Sequence, residues 1–204
     1  EKILDIIDSG VLGKIVHARL NYSNFARRWD WQTLQRNAAG NLNNTGPHPM
    51  DQAVMLYSRG KKMPEVFAKL ANYDHSFGDA DDYAMVVLHG KNMPTVEVHV
   101  SSYQAYPIGE LFTVNGTNGG LAGNDEKLTW RYFDPKKAPK QKQMAGWADN
   151  RQFGQENLEF TNKTWTYRGK AGLFELMSRG FYDNVRKTLT GKENLRVTPQ
   201  QVRV

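Results

Sequence analysis

The chain has 204 residues, 27 Lys and Arg against 21 Asp and Glu, a formal net charge of +6 and no cysteine. That length suits one sizeable domain with a real core, and the lack of cysteine removes disulfides, thiolate nucleophiles and cysteine zinc sites. The apolar runs are too short to cross a bilayer, and the positive charge comes without zinc-finger spacing, an RNA-recognition signature or a basic helix, so the Lys136–Lys142 run reads as a solvated loop and not a nucleic-acid surface.

In chain order, Ile3, Leu4, Ile6 and Ile7 fall on one helical face and Gly10 is placed to stop that helix. Residues 15–23 then alternate, Val16, Ala18, Leu20 and Tyr22 against His17, Arg19, Asn21 and Ser23, which predicts a strand with one buried face. Residues 25–32 are dense in arginine and indole; Arg28, Trp29 and Trp31 can wall a pocket, or plug the core beside an Arg-Asp surface pair. A helix is predicted from Pro47 to Ser58, with Gly46 as N-cap, Pro47 and Pro49 where no N–H partner is needed, and Gly60 supplying a left-handed stop. Strands follow over residues 65–74, 82–89 and 95–102, the last two joined by a hairpin at residues 90–94.

Asp79, Asp81 and Asp82 read as a solvated turn, without the register of a calcium loop. His17, His75, His89 and His99 lack zinc spacing, and no metal is expected. Residues 110–115 and 127–133 read as strands, separated by a reversal at Gly116–Gly120. A long loop over 134–155, a strand over 158–167 and a helix over 172–191 follow, the helix carrying a stripe of Leu173, Leu176, Met177, Phe181, Val185 and Leu189 read as core. Thr198-Pro199 looks like the cap of one more helix. The expectation is an α+β fold: a large, predominantly antiparallel sheet with helices packed on one face. The second face, with Tyr83, Met85 and Val87, is the kind that another subunit covers.

The stretch that looks like a site is the amide-rich turn Gly40-Asn41-Leu42-Asn43-Asn44-Thr45-Gly46-Pro47-His48-Pro49-Met50-Asp51. His48 and Asp51 share a side of the first helical turn, and Asn44 lies just before it, so amide, imidazole and carboxylate can converge on one small polar ligand. Two prolines make that helix start a poor phosphate cradle. The same residues are also ordinary turn and capping chemistry, with His48 as a structural residue.

This turn, preceded by Gly10-Val11-Leu12-Gly13-Lys14-Ile15 and Arg28-Trp29-Asp30-Trp31, resembles the C-terminal domain of the glucose-fructose oxidoreductase/inositol dehydrogenase/MocA family over most of the chain. The resemblance implies an NAD- or NADP-dependent oxidoreductase of sugars or polyols, whose dinucleotide-binding domain comes before these residues and holds the cofactor. On that view 1–204 is a single C-terminal domain, cut at both ends, cytoplasmic, inactive alone, and a homodimer or tetramer through its sheet. The family's acid-x-x-x-His pair falls on Asn44 and His48, where Asn44 departs from the common aspartate. The catalytic pair is then His48 and Asn44; Asp51, Trp31 and Arg36 are assigned to the substrate, and Arg28 and Trp29 to the cofactor. The alternative is a non-catalytic sugar-binding or dimerisation module.

Overall fold

A computed structural model describes residues 1–106, 109–143, 154–169 and 171–199. The elements are helix α1 (Lys2–Asp8), strand β1 (Ile15–Asn21), 3-10 turns at Trp31–Thr33 and Gln35–Asn37, helices α2 (Asn41–Asn44) and α3 (Pro47–Ser58), strands β2 (Glu65–Ala71), β3 (Tyr83–His89), β4 (Thr95–Ser101), β5 (Phe112–Gly116), β6 (Gly119–Gly123), β7 (Lys127–Tyr132) and β8 (Thr161–Thr166), and helix α4 (Leu173–Leu189). The chain forms two compact units, Glu1–Trp165 and Thr166–Val204.

One sheet runs in the order β2-β3-β4-β1-β5-β6-β7-β8. β1 pairs with β4 in parallel and with β5 antiparallel, and the β2–β3, β3–β4, β5–β6 and β6–β7 pairs are antiparallel. A parallel neighbour needs a crossover, and here the crossover from β1 to β4 carries the two 3-10 turns, α2, α3 and the β2–β3 pair. The candidate site therefore sits on the connection that leaves the central strand.

The period-2 pattern selects the core face. Ala18, Leu20, Ala84, Val86, Leu88, Val96, Val98, Val100, Phe112, Val114, Leu121 and Leu128 are buried, joined by Ile6 of α1 and Ala53 and Tyr57 of α3. Each large aliphatic side chain so buried contributes about 1.5–3 kcal/mol over exposure. α3 packs on β4, β1 and β3, and Gly46, its N-cap, must lack a Cβ because one would lie 2.2 Å from the Leu42 carbonyl oxygen. The opposite face, with Tyr83, Met85, Val87, Glu97 and His99, is half-buried.

Several expectations are corrected. The left-handed residue at the end of α3 is first Arg59 (φ 58°) and then Gly60. β2 is an edge strand whose alternation buries neither face: Val66, Phe67 and Leu70 are all about half-exposed. The expected reversal is present, at Thr117-Asn118 between the antiparallel β5 and β6, but Gly119 and Gly120 already belong to strand β6; a Cβ at Gly119 would meet the Arg131 carbonyl oxygen and one at Gly123 that of Lys127, so close strand approach demands glycine there. Nor is the acidic cluster a solvated turn: Asp82 is 1% exposed and Asp81 half-buried.

In the second unit, the α4 stripe read as core is exposed at Met177, Phe181 and Leu189, because a helical period marks an apolar face without saying what covers it. Among the described residues of this unit the buried one is Asn184, whose amide donates to Glu193 and the Asn194 carbonyl and accepts from the Arg196 N–H, closing the turn after α4. The expected last helix begins at Pro199, and its remainder, like residues 144–153 of the long loop, lies outside the described residues.

Candidate functional site

α2 is too short to hold itself and is clamped from outside. The Asp81 carboxylate accepts from the Leu42 N–H at 2.9 Å, its carbonyl accepts from the Asn41 N–H at 2.8 Å, and the Asn41 side-chain amide donates to the Asp82 carbonyl and Ser102 hydroxyl. Gly40 precedes the helix at φ 118°, and a Cβ there would sit 2.1 Å from Asp81 Oδ1. The clamp occupies the space that glycine leaves.

Asp82 is the deeper anchor. Its carboxylate accepts the N–H groups of Tyr73, His75 and Ser76 and, at 2.6 Å, the Tyr103 hydroxyl. Burial, together with the Asp82 carboxylate, pushes the Tyr103 pKa up to about 12. Residues 72–82 in turn prop the 3-10 turns: Gln35 donates twice to Asp79, and the Ala80 N–H donates to the Thr33 carbonyl.

On the other side of α2, Arg28 forms two hydrogen bonds with Asp30 and a third with the Gln32 side chain. The Gln32 N–H, and then the Arg28 guanidinium, hold the Asp30 carboxyl below the usual carboxylate range. Gln32 is thereby fixed, and its carbonyl accepts the Asn44 side-chain amide at 2.9 Å. That bond uses one N–H of the Asn44 amide and fixes the plane in which its Oδ1 and second N–H are offered.

His48 is exposed in the first turn of α3, and Asp51 is exposed three residues on. Pro47 and Pro49 have no N–H, while those of His48 and Met50 bond the Thr45 and Gly46 carbonyls. No first-turn donor is spare, so this helix start cannot hold a pyrophosphate. The indoles are neither plug nor enclosed wall: Trp29 is 79% and Trp31 64% exposed. Arg36 is exposed in the second 3-10 turn. The structure thus links Asn44 to Arg28 through Gln32, places His48 one turn along, and leaves Trp29, Trp31, Arg36 and Asp51 exposed.

Sequence reasoning missed Gln32, Asp81 and Asp82 as organisers; the one available signal was a lone glycine directly before a short amide-rich helix. Among the described residues no His, Asp or Glu group is arranged to hold a metal, and no helix is long and apolar enough to cross a membrane. A concavity of about 690 Å³ lies over β5–β8, lined by Thr113, Asn115, Ala122, Arg131 and Phe160 among others, and none of the candidate residues borders it.

Residues 1–122 match the family model of the GFO/IDH/MocA C-terminal domain. Solved structures with the same fold include an NAD-binding protein from Listeria innocua (TM-score 0.71, 19% identity, 98% of this chain and 56% of that one). An oxidoreductase from Bacillus cereus is similar as well (TM-score 0.68, 15% identity, 98% and 56%). So is the WlbA dehydrogenase from Bordetella pertussis, in complex with NADH and UDP-GlcNAcA (TM-score 0.58, 17% identity, 98% and 52%). The chain spans about half the length of these structures, and a search of curated proteins finds no match. With well over half its residues under the family model and an eight-stranded sheet of the same fold, the chain belongs to the GFO/IDH/MocA oxidoreductase family, through its C-terminal domain.

Proposed function

We propose that the chain is the substrate-binding and catalytic half of an NAD- or NADP-dependent oxidoreductase acting on a sugar, polyol or related hydroxy compound. The observation that carries this reading is the Asn44–His48 pair: an exposed imidazole on a rigid helix start, one turn beyond an amide whose orientation is fixed by Gln32. The dinucleotide's phosphates find no donors at α3 and are held mainly by a separate domain, while Arg28 and Trp29 border the cofactor from this side. The cofactor, when bound, supplies hydride exchange. This chain's residues handle the proton: His48 takes it from, or returns it to, the substrate hydroxyl, Asn44 Oδ1 orients that hydroxyl, and Asp51, Trp31 and Arg36 bound the substrate. The chain alone is inactive, and 1–204 works as a single C-terminal domain of a cytoplasmic enzyme.

The test is His48→Ala in the protein joined to its dinucleotide-binding domain. Loss of a positioned acid or base costs about 10²- to 10⁴-fold in kcat, with circular dichroism unchanged. Retention of kcat within about threefold, far below that contribution, refutes the proton-transfer role. A non-catalytic sugar-binding or dimerisation module is the second reading, favoured by Asn44 itself, since an amide cannot relay a proton as the family's aspartate can. The half-buried second face of the sheet is proposed to meet a second copy.

A further inference from the structure

β2 closes one end of the sheet, and among the described residues no strand lies beyond it. The main-chain groups on its outer side follow from one hydrogen bond. The Asp82 N–H donates to the Ala71 carbonyl at 3.1 Å, so Ala71 faces the β3 side, and the main-chain groups of a strand turn to alternate sides residue by residue. Glu65, Phe67 and Lys69 therefore face β3 as well, while the N–H and C=O groups of Val66, Ala68 and Leu70 point to the open edge. Val66 and Leu70 are about half-exposed on the face that α3 covers farther in, and Phe67 is about half-exposed on the other.

Such an edge pairs with other strands unless something prevents it, and a charged side chain is the usual obstacle. Here the charges are Glu65, 3.8 Å from the His89 imidazole, and Lys69, whose ammonium lies 6.0 Å from the Tyr73 ring centroid. Their spacing decides what they repel. They stand two residues to either side of Phe67, on the same face, with opposite signs. Laying an antiparallel copy of β2 along the edge, with Phe67 on the twofold axis, sets Glu65 opposite the copy's Lys69 and Lys69 opposite its Glu65. In that register Val66 and the copy's Ala68 exchange hydrogen bonds, as their outward main-chain groups require, and Phe67 meets Phe67 at a non-hydrogen-bonded position, where side chains stand closest. The two neighbouring registers that keep the outward groups paired put Glu65 or Lys69 opposite Phe67 instead.

We propose that the outer edge of β2 is a pairing surface for a second copy of this chain, joining the two sheets antiparallel about Phe67. The twofold repeats each contact, so opposite charges meet at both ends. Val66 and Leu70 come beside the copy's Ala68 and Pro64, and main-chain groups now left to water join a ladder. Seven residues of edge make a contact smaller than a standard interface, so pairing is weak, with a Kd on the order of 100 μM. It is a different surface from the second sheet face, and it goes beyond the function above without resting on it.

The chain has no cysteine, so a single introduced one bonds only to its own copy. Phe67→Cys in the 204-residue chain, at about 200 μM and oxidised with diamide, should convert mostly to a disulfide dimer on a non-reducing gel. At the axis the two Cα atoms stand about 4.5 Å apart, within disulfide reach. Lys69→Cys should convert at least about fivefold less, because four residues of strand, about 13 Å, separate its two copies against a limit of about 7 Å. Val66→Cys combined with Ala68→Cys should again give dimer, across about 5.5 Å and on the opposite face of the sheet from Phe67, which a face-to-face contact cannot do. Adding Glu65→Lys to Phe67→Cys sets like charges opposite each other twice and should slow crosslinking about fivefold or more; adding Lys69→Glu as well should return the rate to within about twofold. All of these side chains are exposed, so the variants should melt with the parent. The proposal is overturned if Phe67→Cys stays monomeric, if Lys69→Cys crosslinks as well as Phe67→Cys, if the Val66→Cys, Ala68→Cys pair gives no dimer, or if the charge swap fails to rescue. None of these outcomes bears on kcat of His48→Ala, so the two readings fail separately.

Discussion

Replacing Asp82 should be among the most damaging single changes in the first unit. Its carboxylate is 1% exposed and accepts four donors, at 3.0, 3.1 and 3.3 Å from the Tyr73, His75 and Ser76 N–H groups and at 2.6 Å from the Tyr103 hydroxyl. A hydrogen bond to a charged group is worth about 1.5–3 kcal/mol, but four donors sharing one carboxylate do not add. The Ser76 N–H and the Tyr103 hydroxyl are the costly orphans, and Asp82→Ala should lose about 3–5 kcal/mol, a large share of a typical domain's 5–15 kcal/mol. Urea unfolding followed by tryptophan fluorescence measures it. Asp82→Asn should recover little, because its NH₂ would face donors. A second readout is the Tyr103 pKa: raised from 10.0 to about 12, it should fall back toward 10.0 in either variant, followed by tyrosinate absorbance. Tyr103 binds its proton more tightly folded than unfolded, so its contribution is complete below pH 10.0 and is lost as pH rises toward about 12. A loss below about 1 kcal/mol for Asp82→Ala, the worth of an ordinary exposed contact, refutes the anchor.

Gly40→Ala should cost about 2–3 kcal/mol and displace the Asp81 cap, because φ 118° strains an L residue and the new Cβ would lie 2.1 Å from Asp81 Oδ1; Asp81→Ser in the same background should relieve the clash but not the strain, and a neutral Gly40→Ala in thermal melts refutes the clamp. His99 on the second sheet face has its pKa lowered, by burial first and then by Arg19, with Glu97 opposing. Its contribution is therefore present above the ordinary value of 6.5 and lost as pH falls through the depressed folded pKa; His99→Gln should flatten the stability profile in that acid range, and NMR titration showing His99 at or above 6.5 refutes the sign. Light scattering at low micromolar concentration should give twice the 23.3 kDa monomer mass, and a clean monomer refutes pairing through the sheet.

What the sequence disclosed follows the range of each interaction. Periodicity and punctuation are local, so α1 with Gly10, α3 with Pro47 and Pro49, and the β3–β4 hairpin were legible. The glycine-rich β6 was hidden because its residues answer to carbonyls on β7, a neighbour that local composition does not name. Asp79, Asp81 and Asp82 look alike in sequence, yet one meets a 3-10 turn, one caps α2 and one is buried under Tyr103. Their difference lies wholly in partners far along the chain. The site divides in the same way. Asn44 and His48 could be placed from spacing, whereas the group that orients Asn44 is the main-chain carbonyl of Gln32, and a carbonyl has no residue type by which to be recognised. That carbonyl stays in place because Arg28 and Asp30 grip the Gln32 side chain and N–H. Arg28 therefore acts on the candidate pair through the backbone, its guanidinium tied to Asp30 and to the Gln32 side chain.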